Sequence, residues 1–328
     1  MREGRMRTHF YAILLSALVA LGSPAGVYGV NITRCDDVCD SNCTVQEPLN
    51  CCSSLLPQCD GLGPIVVSNG ADLNLNGKTI NCYCGTTTCV GGSNNNAECA
   101  GPSDCDSGVC QNATGCSECG TAIRIDSNSS TIKNVGSVVG TIKGSFATGV
   151  DCQSKTSSGV TGIRFEDLGA IGLLNCAQVD GNVMIGGEGT AIKSSGVADS
   201  DYIRDNYIAG WYGTGVYRSG NKDVSVDHNM IVMESRTTRT TFFEGIHINT
   251  FETWGTAQEI KANILHGVGF IEDPECFFCL FNPLVVAEGP AWSDVVAEDN
   301  ICDPAVAACG QCIAEGLCRE VEAPYELP

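Results

Sequence analysis

The sequence has little positive charge. Its 18 lysine and arginine residues stand against 38 aspartate and glutamate residues, which gives a formal net charge of −20. Nucleic acids and anionic membrane surfaces bind proteins through basic surfaces. The composition therefore predicts no nucleic-acid partner, and it suits solubility outside the cell or calcium capture.

Long hydrophobic runs are also scarce, and the one that stands out is "FYAILLSALVALG" within residues 1–29. A basic stretch precedes this run and small residues near Gly29 follow it, which is typical of a secretory signal peptide cut before Val30. The run is shorter than the roughly 20 apolar residues that a membrane span needs. We therefore expect a secreted protein that does not insert into the membrane after signal cleavage.

Helical periodicity is missing after Gly120. Short runs rich in Ile and Val alternate there with Gly, Asn, Asp and Ser at regular intervals. That pattern indicates many short strands, so the sequence predicts an all-β fold.

Cysteine, in contrast, is abundant, with 22 residues. In an exported protein an even number of cysteines favours disulfides over metal binding. Three Cys-x-x-Cys pairs lie too far apart in sequence for zinc-ribbon spacing, so we expect no metal site: Cys116/Cys119, Cys276/Cys279 and Cys309/Cys312.

The cysteine distribution also predicts where the bridges lie. Cysteines crowd the segment from Cys35 to Cys119, and we expect them to pair mainly among themselves. Cys276 should pair with Cys279 or a near neighbour. The remaining late cysteines should close the C-terminal end: Cys302, Cys309, Cys312 and Cys318.

A four-residue unit repeats along the chain at intervals of roughly 20–30 residues. It reads TAIR at 121–124, TGVD at 148–151, GAIG at 169–172, TAIK at 190–193, TGVY at 214–217, EGIH at 244–247 and VGFI at 268–271. Its apolar positions form a predicted column of Ile123, Val150, Ile171, Ile192, Val216, Ile246 and Phe270.

A second register runs in step with the first and consists of asparagines: Asn182, Asn206, Asn229, Asn263 and Asn300, with Asn134 as a further member. Two registers locked together predict a parallel β-helix, in which rungs stack to bury their apolar faces. Stacked asparagines would then bond amide to amide at a tight bend. The alternative is a β-sandwich, which would need antiparallel hairpins and irregular spacing.

These registers resemble those of the right-handed parallel β-helix proteins of the pectin-lyase-like superfamily, and "ADLNLNGKTI" is similar to the first strands of many of them. The resemblance implies a right-handed parallel β-helix, or solenoid. We divide the chain into a signal peptide at 1–29, a cysteine-rich cap at 30–64, a β-helix at 65–302 with a cysteine-rich insertion at 83–119, and a cysteine-rich C-terminal cap at 303–328.

The superfamily holds polysaccharide lyases, glycoside hydrolases, epimerases and adhesins, and its catalytic motifs are missing here. The Asp36-Asp37 pair lies in the cysteine-rich front, and "LHGVG" at 265–269 is not Gly-His-Gly. The stretch "VSVDH" is similar to a pectate lyase element with Ser225 in place of Trp, but the Arg-x-Pro-x-x-Arg loop is absent. We interpret Asp227-His228 as part of the asparagine register.

The candidate site comes from strand alternation, which turns the residue after each column position outward. In order these residues are Arg124, Asp151, Gly172, Lys193, Tyr217, His247 and Ile271. We expect Lys193, Tyr217 and His247 to be catalytic, with Lys or His removing a proton alpha to a carboxyl group and Tyr protonating the leaving oxygen. Asp151, Arg124 and a notch at Gly172 would bind substrate. The alternative is an ordinary polar face.

A second outward strip, formed by Arg204, Asp227, Lys261 and Glu298, alternates in sign and predicts structural ion pairs.

The sequence leaves two functional hypotheses. The first is a secreted β-helix that contacts extracellular acidic polysaccharide or cleaves it by β-elimination, with no cofactor unless calcium takes part. The second is a non-catalytic structural or adhesive display scaffold.

Overall fold

The fold is described from a computed structural model of the chain. The described residues are 29–52, 59–82, 87–89, 93, 110–112, 119–195, 201–220, 224–234, 243–249, 258–268, 281–287, 295–298, 300–302 and 318–320. These residues form strands and their connections, and no helix occurs among them. None of this part of the chain could therefore cross a membrane as a long apolar helix.

In chain order the strands are β1 (Val30–Ile32), β2 (Val38–Cys39), β3 (Cys43–Val45), β4 (Leu49–Cys51), β5 (Ile65–Val67), β6 (Asp72–Asn74), β7 (Thr79–Cys82), β8 (Thr87–Cys89), β9 (Cys110–Asn112), β10 (Cys119–Ile125), β11 (Thr131–Lys133), β12 (Thr141–Lys143), β13 (Phe146–Asp151), β14 (Gly159–Thr161) and β15 (Arg164–Leu168). They continue as β16 (Ile171–Leu174), β17 (Gln178–Asp180), β18 (Val183–Ser194), β19 (Asp201–Arg204), β20 (Tyr207–Ser219), β21 (Val224–Asp227), β22 (Met230–Glu234), β23 (Phe243–Asn249), β24 (Gln258–Lys261), β25 (Ile264–Val268), β26 (Phe281–Ala287), β27 (Val295–Glu298), β28 (Asn300–Cys302) and β29 (Cys318–Glu320).

The strands stack in three parallel columns. Column I is the 10-stranded sheet β1-β3-β6-β11-β14-β17-β19-β21-β24-β27. The 17-stranded sheet contains the other two columns, which share the long strands β18 and β20. Column II runs β4-β7-β12-β15-β18-β20-β22-β25-β28-β29, and column III runs β2-β5-β10-β13-β16-β18-β20-β23-β26.

From β6 to β28, with β8 and β9 set apart, the chain visits columns I, II and III in turn and then returns to column I one level higher. Each strand therefore pairs in parallel with the strand one turn earlier and the strand one turn later. The protein is all-β with long parallel sheets, an arrangement that is compatible with a parallel β-helix.

The predicted apolar column lies in column III and is buried, with one correction. Ile192 is in register with Val216, and Val216 with Ile246. In the turn before them Leu173, not Ile171, occupies the column position between Val150 and Ile192. Ile171 is half-buried in register with Thr148, so the prediction was wrong by two residues there. Phe270 lies outside the described residues.

Column III departs from strict alternation because two neighbouring residues face inward in each turn. A small residue precedes each apolar column residue and is buried with it: Ala122, Gly149, Gly172, Ala191, Gly215 and Gly245. A Cβ atom on Gly149 would lie 2.6 Å from the carbonyl oxygen of Gly172. The position thus requires a small side chain, and the residues on either side of each inward pair both face outward.

The asparagine ladder stabilises the bend between columns I and II. Asn182, Asn206, Asn229, Asn263 and Asn300 are all buried, and each of the first four donates from Nδ2 to Oδ1 of the next at 2.9–3.0 Å. In the first four of these rungs the residue before the asparagine has a left-handed backbone: Gly181, Asp205, His228 and Ala262. This confirms the interpretation of Asp227-His228 as part of that register.

Asn134 does not belong to the ladder. It is half-buried, accepts hydrogen bonds from the backbone N–H groups of Gly77 and Gly140, and donates to the carbonyl oxygen of Val138. Its position, directly after β11, lies one residue too early to reach the bend. It therefore organises a separate turn, and its predicted membership was wrong.

Among the described residues of the N-terminal segment, disulfides join the cysteines to one another, as predicted. The bridges are Cys35–Cys51, Cys39–Cys43, Cys52–Cys59 and Cys82–Cys119, and Cys152–Cys176 lies further along the chain. Several intramolecular disulfides are typical of an oxidising, extracellular environment. Cys276, Cys279, Cys309 and Cys312 lie outside the described residues, as do the side chains of Cys302 and Cys318.

The predicted insertion begins and ends at one disulfide. Cys82 ends β7 and Cys119 begins β10, with their Cα atoms 5.8 Å apart. Between them, β8 and β9 pair with each other in an antiparallel two-stranded sheet that is separate from the columns. Strands β1 to β4 of the predicted N-terminal cap, in contrast, continue the three columns.

Candidate functional site

Two outward rows run along column III. The charged row follows the apolar column and contains Arg124, Asp151, Leu174, Lys193, Tyr217 and His247. The threonine row precedes the small residues and contains Thr121, Thr148, Ile171, Thr190, Thr214 and Glu244. Because two inward residues separate the rows, residues i and i+3 of a turn share the outer face.

Gly172 does not form the predicted notch in the charged row. It belongs to the row of small inward residues, and a Cβ atom there would lie 2.2 Å from Met184 Cε and 2.5 Å from the carbonyl oxygen of Ala191. Leu174, in register with Lys193, takes the outward place between Asp151 and Lys193. The prediction of a substrate-binding notch at Gly172 was therefore wrong, because core atoms occupy the space beside this residue.

Arg124 and Asp151 occupy neighbouring places in the charged row but engage local partners. The Arg124 guanidinium lies 2.8 Å from the Asp126 carboxylate, and this hydrogen bond raises the pKa of Arg124. Asp151 accepts hydrogen bonds from the backbone N–H and side-chain amide of Gln153. These two predicted substrate-binding residues thus help to order the loop that follows each strand.

Lys193 and Tyr217 lie on neighbouring rungs of the charged row and contact each other. Lys193 is exposed, and its Nζ lies 5.7 Å from the centroid of the Tyr217 ring, within cation–π range. Within the part of the chain that the structure describes, no carboxylate forms an ion pair with Lys193. Its positive charge is therefore available on the outer face.

His247 continues the row on the next rung. Its ring centroid lies 4.9 Å from that of Tyr217, with the ring planes inclined at 43°. Successive rungs of a parallel sheet lie about 4.8 Å apart, so this spacing follows from the in-register pairing of β20 with β23. The structure therefore brings together the three residues predicted to be catalytic: Lys193, Tyr217 and His247.

Glu244 lies beside His247 at the i−3 position of the same strand. Nδ1 of His247 is 2.7 Å from Oε2 of Glu244, and the Thr214 hydroxyl donates to the same oxygen at 3.0 Å. Burial raises the pKa of the Glu244 carboxyl group, but the hydrogen bond and charge of His247 and the hydrogen bond of Thr214 outweigh it, so this pKa is lowered. The carboxylate is therefore held in its ionised form.

Sequence reasoning missed Glu244 and Thr214 because it assumed strict alternation. Under that rule residues i and i+3 lie on opposite faces. The signal was nevertheless present: four of the repeating units begin with Thr, whereas EGIH begins with Glu244. A change from Thr to Glu at a repeated position, in the unit that also carries a histidine, marks this rung as different.

The second strip lies on column I, where Asp180, Arg204, Asp227, Lys261 and Glu298 are in register. Arg204 forms a cross-strand ion pair with Asp180 at 3.0 Å and also stacks over the Tyr202 ring at 4.2 Å. Lys261 forms an ion pair with Glu259 of its own strand. The strip thus contains both cross-strand and same-strand charge pairs. The side chain of Glu298 lies outside the described residues.

Ile271, the last predicted member of the charged row on column III, also lies outside the described residues.

Among the described residues no group of three or more His, Cys, Asp or Glu side chains is arranged to hold a metal ion. Cys119 is bonded to Cys82 rather than combined with Cys116 as a zinc ligand pair. His228 contacts Asp227 on column I, whereas His247 lies on column III.

Comparison with known proteins adds no assignment. No family model, no curated protein and no solved structure matches the chain. The functional argument therefore depends on the geometry of column III.

Proposed function

We propose that the chain is a secreted, right-handed parallel β-helix of the pectin-lyase-like type that binds acidic polysaccharide along the outer face of column III. The repeated visits to three parallel columns and the buried asparagine ladder support the solenoid. The disulfides support an extracellular location. The sequence registers support the likeness to the superfamily.

The observation that carries the binding proposal is the continuous contact from Lys193 through Tyr217 to His247. It combines a cation, an aromatic ring and an imidazole on consecutive rungs. A carboxylate can form a charge-assisted hydrogen bond with an ammonium group, and the face of a sugar can lie against an aromatic ring. An acidic sugar placed over Tyr217 would use both interactions.

The threonine row suits the same ligand. Half-buried hydroxyl groups of Thr148, Thr190 and Thr214 lie beside the charged row along successive turns of column III, with Ile171 between the first two. Hydroxyl groups both donate and accept hydrogen bonds, as do the hydroxyls of a polysaccharide. A glycan chain lying along the column would thus meet hydroxyl or charged groups on the rungs of β13, β18, β20 and β23, and apolar side chains on the rung of β16.

Processing of the glycan by β-elimination is a further part of this proposal. The base would be Lys193 or His247, and Tyr217 would protonate the leaving oxygen. The alternative function is a non-catalytic display scaffold. The local engagement of Arg124 and Asp151 favours it, because those charges serve the protein rather than a ligand.

Direct titration tests the proposal. Purified mature protein is mixed with polygalacturonate and with alginate, each with and without calcium, and both binding and unsaturated-product absorbance are followed. Binding with a rise in absorbance indicates a lyase. Binding alone indicates a lectin-like role, and no binding to either polymer favours the scaffold.

A further inference from the structure

The two ring nitrogens of His247 have different surroundings. Nδ1 contacts the Glu244 carboxylate at 2.7 Å. Nε2 is buried, yet it has no hydrogen-bond partner within the part of the chain that the structure describes. A buried polar nitrogen without a partner costs free energy, so an unpaired Nε2 at a surface row calls for a functional explanation.

The contact with Glu244 determines which nitrogen carries the proton. An ionised carboxylate can only accept hydrogen bonds, so Nδ1 of His247 must donate to it. In the neutral imidazole the other nitrogen, Nε2, then holds a lone pair and accepts. Thr214 donates to the same carboxylate oxygen, which helps to keep that group fixed and ionised.

We propose that Glu244 is a positioning residue that fixes the His247 imidazole in the Nδ1–H tautomer, whose Nε2 lone pair accepts a hydrogen bond from a sugar hydroxyl of the bound glycan. This inference rests on the proposed glycan-binding function of column III and names the group that the site recognises. Glu244 does not itself contact the ligand.

The chemistry of the neighbours favours a hydroxyl over an ammonium group as the donor. Lys193 lies over the ring of Tyr217, which in turn contacts His247. The positive charge of Lys193 would repel an amino sugar. The same charge attracts the carboxylate of a uronic acid. A uronate residue over Tyr217 would thus direct its carboxylate toward Lys193 and a hydroxyl toward Nε2.

The imidazole is 15% exposed, and the Glu244 side chain is 18% exposed. The ring is therefore partly accessible, but Nε2 itself is covered in the free protein, so a local side-chain movement must uncover this nitrogen before a hydroxyl reaches it.

Two variants separate ligand recognition from structural support. His247→Asn places an amide nitrogen close to the position of Nδ1, so the hydrogen bond to Glu244 is retained while Nε2 is deleted. Glu244→Ala retains Nε2 but releases the imidazole. We expect each variant to bind polygalacturonate about tenfold more weakly than the wild type, and we expect His247→Asn to leave the melting temperature nearly unchanged.

Nitrogen-15 NMR of histidine-labelled protein reads the tautomer directly, because the chain has 4 histidines and His247→Asn assigns the signal. We expect an Nδ1–H tautomer whose Nε2 resonance moves when polygalacturonate is added, and loss of that tautomer in Glu244→Ala. A neutral imidazole that carries its proton on Nε2 in the free protein would overturn the inference.

The outcomes distinguish this inference from the function on which it rests. Polygalacturonate that binds the wild type without moving the Nε2 resonance, and binds His247→Asn equally well, overturns the role of Nε2 and leaves the proposed function standing. A wild-type protein that binds neither polygalacturonate nor alginate overturns both.

Discussion

The side-chain amide of Asn206 donates to Oδ1 of Asn229 at 2.9 Å, and the same oxygen also accepts from the backbone N–H of Asn206 at 3.1 Å. Each ladder asparagine after Asn182 thus accepts two hydrogen bonds from the asparagine of the rung before it. The relation repeats from Asn182 to Asn300, so the ladder joins successive turns at one bend.

Asn229→Ala should destabilise the protein by about 3 kcal/mol, because several buried groups lose their partners at once. The Asn229 amide donates to the carbonyl oxygens of Ile203 and Asp227 and to Asn263. Urea unfolding measures the loss. Asn31→Ala, at an exposed position, is the control and should cost less than about 0.5 kcal/mol. Equal stability of the two variants would contradict the ladder.

Gly172→Ala should destabilise the fold by about 1–3 kcal/mol through overpacking. The added Cβ would approach the backbone oxygen of Ala191 to 2.5 Å, and a backbone atom cannot move aside as a side chain does. Gly120→Ala is the matched control, because nothing lies within 4 Å of its Cβ position. Thermal unfolding of both variants provides the test, and an unaffected Gly172→Ala would place that residue outward after all.

Acid should weaken the fold partly through Glu244. Its folded-state pKa is lowered, so its contribution to stability is present above the ordinary carboxyl value of 4.5 and is lost as the pH falls through the folded value. Glu244→Gln should therefore flatten the decline of melting temperature below about pH 4.5. Glu259→Gln, at an exposed glutamate, should leave the decline as it is. Identical acid profiles for all three proteins would remove Glu244 from this account.

The insertion should be dispensable for folding. The Cα atoms of Cys82 and Cys119 lie 5.8 Å apart, a gap that a very short linker spans. Replacing residues 83–118 by Gly-Ser-Gly should therefore preserve the β-rich circular dichroism spectrum and a cooperative thermal transition. Loss of cooperative unfolding in the shortened protein would show that the body needs the segment.

Sequence reasoning predicted much of the fold because rungs repeat both in sequence and in space. Ile192, Val216 and Ile246 stack as the repeating unit indicated. The error at Ile171 arose where "AIGLL" offered two readings. The unit there is I-G-L-L, with Ile in the threonine position, and only the strand pairing shows which reading the core accepts.

The site was predictable in part for the same reason. Period and register were enough to align Lys193, Tyr217 and His247 on one face. Strict alternation placed Glu244 on the opposite face, because the pair of inward residues at Gly245 and Ile246 breaks the two-residue period. That departure comes from packing against the interior, which a linear pattern does not contain.

The most direct test of the central claim is the affinity of Lys193→Ala for polygalacturonate, compared with wild type and with Lys143→Ala by isothermal titration. Lys143 is an exposed lysine on column II, so its removal changes the net charge equally. We predict that Lys193→Ala binds about tenfold more weakly at low salt, at an unchanged melting temperature, while Lys143→Ala binds like the wild type. Equal affinity of all three proteins, or no binding by any, would contradict a glycan-binding face on column III.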